Sequence, residues 1–109
     1  MKLPTPDDPA NAPIWENYVV AQTAQAALAL IPRSALAVGV EVDGSNAILR
    51  FQLDACTPQD IEDMDDIVSE LEALLGRGVK VTRTADVVEH RKVDPSAGVR
   101  WVYLSRTSD

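Results

Sequence analysis

Hydrophobic and polar residues alternate along two neighbouring stretches in the first half of the chain. In the first stretch, LAVGVEV, leucine or valine occupies every second position, which is typical of a half-buried strand. This spacing predicts that Leu36, Val38, Val40 and Val42 share one face, with Ala37, Gly39 and Glu41 on the other.

The second alternating stretch, AILRFQLD, follows after the turn sequence DGSN, so the two strands should form a hairpin. Side chains alternate between the two faces of a strand, and we expect one face to pack on helices while the other points away. The helix-facing residues are Ala47, Leu49, Phe51 and Leu53, and the opposite ones are Ile48, Arg50, Gln52 and Asp54.

Helices are predicted on both sides of this hairpin. The first covers about Ile14–Ile31, which is rich in Ala, Leu and Gln and ends at Pro32. The second should begin after Thr57, a suitable cap, and run to Leu75. At about 100° per residue, one side of the second helix is apolar and predicts a buried stripe. The stripe consists of Ile61, Met64, Ile67, Val68, Leu71, Leu74 and Leu75.

Two further strands are predicted in VKVTRTADV and VRWVYL, which makes the element order αββαββ. A chain of 109 residues suits one domain. The predicted fold class is α+β: a single αββαββ domain with a mainly antiparallel sheet of about four strands, packed against two helices. Residues 1–13 contain four prolines and should form an extended N-terminal arm, so the α+β domain covers residues 14–109.

Charge is unevenly distributed in this chain, whose net charge is −7. Residues 1–76 contain thirteen acidic and three basic residues, whereas residues 77–109 contain seven basic and four acidic ones. The larger acidic part would repel nucleic acid, so a basic protein partner fits better. No apolar run approaches the roughly 20 residues that cross a bilayer, and the first residues are not those of a secretion signal. We therefore expect a cytoplasmic protein without a nucleic-acid or membrane partner.

The acidic residues concentrate in QDIEDMDDIVSELE, residues 59–72, which contains seven of them and no basic residue. Asp60 lies in the first turn of the predicted helix, three residues after Thr57, where helix capping gives it a structural role. The remaining six cover the surface opposite the apolar stripe. They are Glu62, Asp63, Asp65, Asp66, Glu70 and Glu72.

A helix face that only needs to be solvated usually alternates positive and negative residues. Here Glu62–Asp65, Glu62–Asp66, Asp63–Asp66 and Asp66–Glu70 are like-charge neighbours, and each exposed pair costs about 0.2 to 0.5 kcal/mol. A concentrated negative surface would attract a basic partner and raise its association rate. The pattern therefore favours a binding surface, with an ordinary solvated face as the alternative.

Other residues offer less chemistry. Carboxylates spread around a helix do not converge on a cation, so no metal site is expected. Cys56 and His90 are the single residues of their types, and we expect a buried or merely tolerated thiol and an exposed loop histidine. Phosphate-binding and dinucleotide-binding motifs are absent, which predicts no cofactor and no enzyme. Trp101 and Tyr103 in the last strand are expected in the core rather than stacked on bases.

Two segments resemble a known family. The segments Leu49–Leu75 and Trp101–Leu104 resemble small immunity proteins of bacterial contact-dependent growth inhibition and related polymorphic toxin systems. In that family a Leu-Arg-Phe strand, an Asp, a short turn and an acidic helix with Asp-Ile-Glu-Asp come in this order, before a late Val-Tyr-Leu strand. The matching positions are Leu49, Arg50, Phe51, Asp54, residues 60–63, Val102, Tyr103 and Leu104. The resemblance implies a cytoplasmic inhibitor that binds a toxin domain, often a nuclease, and blocks its active site.

The resemblance, together with the charge pattern, implies a non-catalytic immunity protein that forms a stoichiometric heterodimer with a basic toxin nuclease, an RNase being favoured. The expected contact surface is Asp54 at the strand end together with Glu62, Asp63, Asp65, Asp66, Glu70 and Glu72. Trp15 or Tyr18 could add an apolar anchor if exposed. Two alternatives remain at this point: a small regulatory domain that binds a metabolite or forms an oligomer, and an enzyme that uses Cys56 and His90.

Overall fold

The computed structural model describes residues 5–6, 12–94 and 98–106. The elements are α1 (Ala12–Ala27), β1 (Ala35–Asp43), β2 (Asn46–Leu53), α2 (Pro58–Leu75), β3 (Lys80–Val87) and β4 (Arg100–Leu104). The predicted αββαββ order and α+β class are confirmed. Most of the predicted arm lies outside the described residues, and α1 begins at Ala12 rather than Ile14.

The four strands form one sheet in the order β3-β2-β1-β4. The pairings of β1 with β2 and with β4 are antiparallel, as predicted for most of the sheet. The pairing of β2 with β3 is parallel, so the sheet is mixed. The parallel pair arises because α2 returns the chain to the start of the neighbouring strand, whereas a tight turn joins antiparallel strands.

The hydrophobic core lies between one face of the sheet and the two helices. Ala47, Leu49, Phe51 and Leu53 of β2 are almost completely buried there, as their alternation predicts. From the other side the core is closed by α1, which contacts β1 and β4, and by α2, which contacts α1 and β3. The helices therefore divide the sheet between them, with α2 towards the β3 edge and α1 towards the β4 edge.

The predicted inward face of β1 is correct for three of its four residues. Val38, Val40 and Val42 pair with helix-facing residues of β2, but a bulge near the start of β1 changes the phase of the strand. Ala35 pairs with Leu53 and enters the core, whereas Leu36 is the extra residue of the bulge and is not part of the core. The prediction for Leu36 was wrong because strict alternation assumes an unbroken ladder.

The first helix ends at Ala27, four residues before the predicted end at Ile31. Ala29 adopts a positive φ of 68°, and the Leu30 N–H donates to the Ala27 carbonyl at 2.9 Å. The left-handed residue turns the chain out of the helix before Pro32. The apolar sequence continues past this point, which is why the pattern alone extends the helix too far.

The segment that follows β3 reaches the face of the sheet that lies opposite the helices. The strands β3 and β4, which it joins, are at opposite edges of the sheet, and both helices pack on the core side of the sheet. Gln52 holds the connection: its side-chain amide donates to the Lys92 carbonyl at 2.6 Å and accepts from the Lys92 N–H at 2.7 Å. Trp101 lies against Gly39, where an added Cβ would be 2.8 Å from the indole.

Within the described residues, neither helix combines the length and the apolar character needed to cross a bilayer.

Candidate functional site

The acidic helix α2 begins at a complete capping box. The Thr57 hydroxyl accepts from the Asp60 N–H at 3.1 Å, and the Asp60 carboxylate accepts from the Thr57 N–H at 2.9 Å. Pro58 occupies the first helical position, where a missing N–H costs nothing. At the other end Gly76 has a φ of 78° and donates its N–H to the Glu72 carbonyl at 2.9 Å. Sequence signals at both ends therefore fix the helix and the direction of its side chains.

Asp60 has the structural role that was predicted for it. The residue is only 1% exposed, and its carboxylate also accepts from the Ser34 N–H at 3.3 Å. Burial by itself raises the pKa of this carboxyl. Hydrogen bonds from the backbone and side chains of Thr57 and Ser34 outweigh burial and lower the pKa from 3.8 to about 2. Asp60 therefore ties the start of α2 to the segment before β1 and takes no part in the exposed acidic surface.

The six other carboxylates of α2 form one surface, which we call the acidic face: Glu62, Asp63, Asp65, Asp66, Glu70 and Glu72. Five of them are exposed, and Asp63 is half-buried. Glu62, Asp66 and Glu70 follow one another at four-residue spacing, so they form a row along the helix. The structure thus brings the predicted contact residues of α2 together on one side of the molecule.

Two members of the acidic face have partners within the protein. Asp65 forms an ion pair with Arg83 of β3, with 2.8 Å between the carboxylate Oδ1 and the guanidinium Nε. Asp63 accepts from the side-chain amide of Gln59 at 3.0 Å. Within the described part of the chain, the row of Glu62, Asp66 and Glu70 has no ion pair. Among those residues no ion pair neutralises its negative charge, and all three side chains are exposed to solvent.

Two apolar residues of α2 that were expected in the core are exposed instead: Ile61 is 43% and Leu74 is 37% exposed. The fully buried line consists of Met64, Ile67 and Leu71, while the flanking Val68 is half-buried. The angular stripe was too wide, because a helix on a sheet buries mainly the line that points at its neighbours. Ile61 lies one turn before Asp65, so its exposed apolar side chain borders the acidic face.

Asp54 is exposed immediately after β2. Its backbone N–H donates to the Ser34 carbonyl at 3.0 Å, which fixes the main chain there while the carboxylate faces solvent. Only residues 55–57 separate Asp54 from the first turn of α2, so it lies at the N-terminal end of the acidic helix.

The remaining sequence candidates occupy ordinary positions. Cys56 is an exposed free cysteine, so of the two expectations, a buried thiol or a merely tolerated one, the first is wrong. His90 is exposed in the connection after β3, as predicted. Trp15 is buried and donates its Nε1–H to the Gly44 carbonyl at 2.8 Å, which removes it as a surface anchor, and Tyr18 stacks on it. Among the described residues, no group of three or more His, Cys, Asp or Glu side chains could hold a metal ion.

A comparison with models of known protein families gives no match, and a search among curated proteins gives none either. The function is therefore argued from the geometry and charge of the acidic face.

Proposed function

We propose that this protein is a non-catalytic immunity protein of the cytoplasm that binds a basic toxin nuclease, an RNase being favoured, and covers its active site. The observation that carries this proposal is the row of Glu62, Asp66 and Glu70 on the exposed side of α2, which forms no ion pair with any other described residue. A nuclease holds a phosphate backbone with Lys and Arg, so a row of carboxylates is complementary to its substrate site.

Charge accounts for the rate at which such a partner arrives more than for the strength of the complex. Charged groups at an interface rim mainly steer association, whereas buried apolar anchors contribute most of the binding free energy. Trp15 is buried in the core, but Ile61 is exposed and lies one turn before Asp65 on the helix. In the proposed complex Ile61 is the apolar anchor, and the acidic face lies along one side of it.

The test begins with the catalytic domain of a toxin encoded next to this gene, purified and bound to the protein at several salt concentrations. The informative variant combines Glu62→Gln, Asp66→Asn and Glu70→Gln, because these side chains have no ion pair in the described structure that neutralisation would break. We expect association about tenfold slower and a weaker dependence on salt. The control combines Asp43→Asn, Asp86→Asn and Glu89→Gln, which removes the same charge from exposed positions outside α2.

The same binding measurement distinguishes the role of Ile61 from that of the charges, because it gives the association rate and the dissociation rate separately. Ile61→Ala should leave the association rate unchanged and raise the dissociation rate about tenfold, with Ile14→Ala as the control at another exposed isoleucine. Equal association rates for the α2 triple variant and its control would refute the assignment of the acidic face. Absence of binding by the wild-type protein to the neighbouring toxin would refute the immunity function itself.

A regulatory domain that binds a metabolite is the second candidate. It is favoured by an apolar groove between α1 and β4, which is lined by Leu28, Val102 and Tyr103 among others and has a volume of about 190 Å³. Sites for drug-sized ligands usually measure about 300 Å³ or more, so the groove is small for this purpose. The immunity function is supported better, because it also explains why the acidic face is retained at a cost in helix stability.

A further inference from the structure

Most of α1 and β4 is built from uncharged residues, although the Arg91 guanidinium reaches the Ser105 carbonyl just after β4. From Asn17 to Pro32 the sequence contains no Asp, Glu, Lys or Arg, and from Trp101 to Ser105 it contains none either. The one charged residue of β4, Arg100, lies 3.8 Å from Glu16 at the start of this region. On a molecule whose net charge is −7, such a surface needs a physical reason.

The uncharged surface is also apolar and grooved. A helix that faces water normally presents charged or polar residues on its outer side. Here Ala21 and Ala24 are exposed on α1, and Leu28, which follows the helix directly, is 69% exposed. Between the end of α1 and β4 runs the groove of about 190 Å³ described above. Exposed apolar area next to a groove is typical of a protein interaction surface.

The edge of the sheet next to this groove is an open strand. β4 pairs with β1 on one side, and among the described residues no strand pairs with its other side. Its unpaired backbone N–H and C=O groups can pair with another strand. Leu104 at the end of β4 is 46% exposed, so the strand presents apolar side chains along with its backbone groups.

We propose that a second copy of this chain occupies the surface, so that β4 of each copy pairs antiparallel about a two-fold axis and the two sheets join into one of eight strands. Two strongly acidic molecules repel each other, and this repulsion is smallest where both present uncharged surface. An edge strand is also complementary to itself in the antiparallel direction, which is what a two-fold interface requires. The exposed flanks of the two α1 helices then cover each other and the grooves beside them.

The proposed dimer leaves the acidic faces apart. The helix α2 lies over the β3 edge of the sheet, whereas the interface is at the β4 edge. Joining two copies through β4 places the two α2 helices at the outer ends of the eight-stranded sheet. The dimer therefore does not depend on the proposed inhibition of a toxin, and each α2 remains accessible within it.

Sedimentation analysis of the full chain over a concentration series tests the proposal. We expect the wild-type mass to approach twice the chain mass of 11.8 kDa, and Ala24→Glu to remain at 11.8 kDa because the buried charge meets its own copy across the axis. The matched control is Ala73→Glu, which also introduces a glutamate at an exposed alanine near the end of a helix. This control should dimerise like the wild type.

Amide hydrogen exchange gives a second readout that does not rely on a variant. Amides on the outer edge of β4 should exchange more slowly as the wild-type protein is concentrated, while amides on the outer edge of β3 should not. A wild-type protein that stays monomeric at the highest concentration it tolerates would overturn the proposal. So would an Ala24→Glu protein that dimerises as well as Ala73→Glu while circular dichroism shows both to be folded.

Discussion

Asp60 and Gly39 illustrate how single residues are fixed by what surrounds them. Asp60 is one of seven acidic residues in a short segment, yet it alone is buried and accepts the N–H groups of Thr57 and Ser34. Gly39 leaves room for Trp101, since an added Cβ would also lie 2.7 Å from Val99. The carboxylate of Asp60 is required by the helix cap at Thr57 and by Ser34, which is distant in the sequence. Glycine is required at position 39 by Val99 and Trp101, which are also distant in the sequence.

The buried carboxylate of Asp60 should make stability depend on pH. Its folded pKa of about 2 is below the ordinary value of 3.8, so the ionised form stabilises the fold above about pH 4. This contribution is lost as the pH falls from about 4 to about 2. Asp60→Ala should lower the free energy of unfolding by about 1 to 3 kcal/mol near neutral pH, because the partly buried hydrogen bonds from the Thr57 and Ser34 N–H groups are lost.

The measurement for Asp60 is urea unfolding of wild type and Asp60→Ala at a series of pH values. The difference between them should shrink in the acidic range given above. Asp66→Asn, which changes an exposed residue of the same helix, is the control and should not lose stability. A difference for Asp60→Ala that stays constant down to the lowest pH would contradict the assigned pKa shift.

At the scale of the element, α2 is held firmly at both ends and along its buried side, while the like charges on its exposed side repel one another. The capping box, Pro58 and Gly76 define its ends, and Met64, Ile67 and Leu71 attach it to the core. Its outer side carries carboxylates as near neighbours, of which Asp65 alone has an ion pair in the described structure. The helix therefore tolerates charge repulsion because capping and burial hold it in place.

Removing that repulsion should stabilise the free protein. The variant with Glu62→Gln, Asp66→Asn and Glu70→Gln relieves all four like-charge pairs of the helix, each of which costs about 0.2 to 0.5 kcal/mol. We expect the free energy of unfolding to rise by about 1 kcal/mol at low salt, and by less at high salt. The comparison is with the Asp43, Asp86 and Glu89 control variant in thermal or urea unfolding. An unchanged or lower free energy of unfolding would mean that repulsion within the acidic face does not destabilise the protein.

At the scale of the whole molecule, two surfaces that differ in charge lie over opposite edges of one sheet. The α2 side is acidic and exposed, and the α1 side with β4 is nearly uncharged. On the remaining face of the sheet, Gln52 forms two hydrogen bonds with Lys92 of the segment that follows β3. The sheet thus separates a surface suited to a basic partner from a surface suited to an uncharged one.

This separation predicts that the two proposed binding activities are independent. Ala24→Glu, expected to be monomeric, should bind the toxin with the same association rate per chain as the wild type. Conversely, the α2 triple variant should remain dimeric while its association with the toxin slows. Binding kinetics and sedimentation of both variants check this. If Ala24→Glu also impairs toxin binding while remaining folded, the two surfaces are not separate.

Much of the fold could be predicted because local signals and local structure coincide. Alternation places the residues of β2 on their correct faces, and the cap at Thr57 and the glycine at 76 delimit α2. The predictions fail where distant contacts decide the outcome. The bulge displaces Leu36, the turn at Ala29 ends α1 early, and Ile61 remains uncovered.

The amino-acid sequence by itself determined the order of the elements, the capping of α2 and the concentration of negative charge on its outer side. These features depend on neighbours within a few residues along the chain, and therefore follow from periodicity and side-chain chemistry. Only the tertiary structure decided that β3 lies parallel to β2, that β4 forms the opposite edge, and that Ile61 and the α1 groove stay exposed. Those outcomes depend on which elements pack side by side, and contacts between distant segments leave no fixed spacing in the sequence.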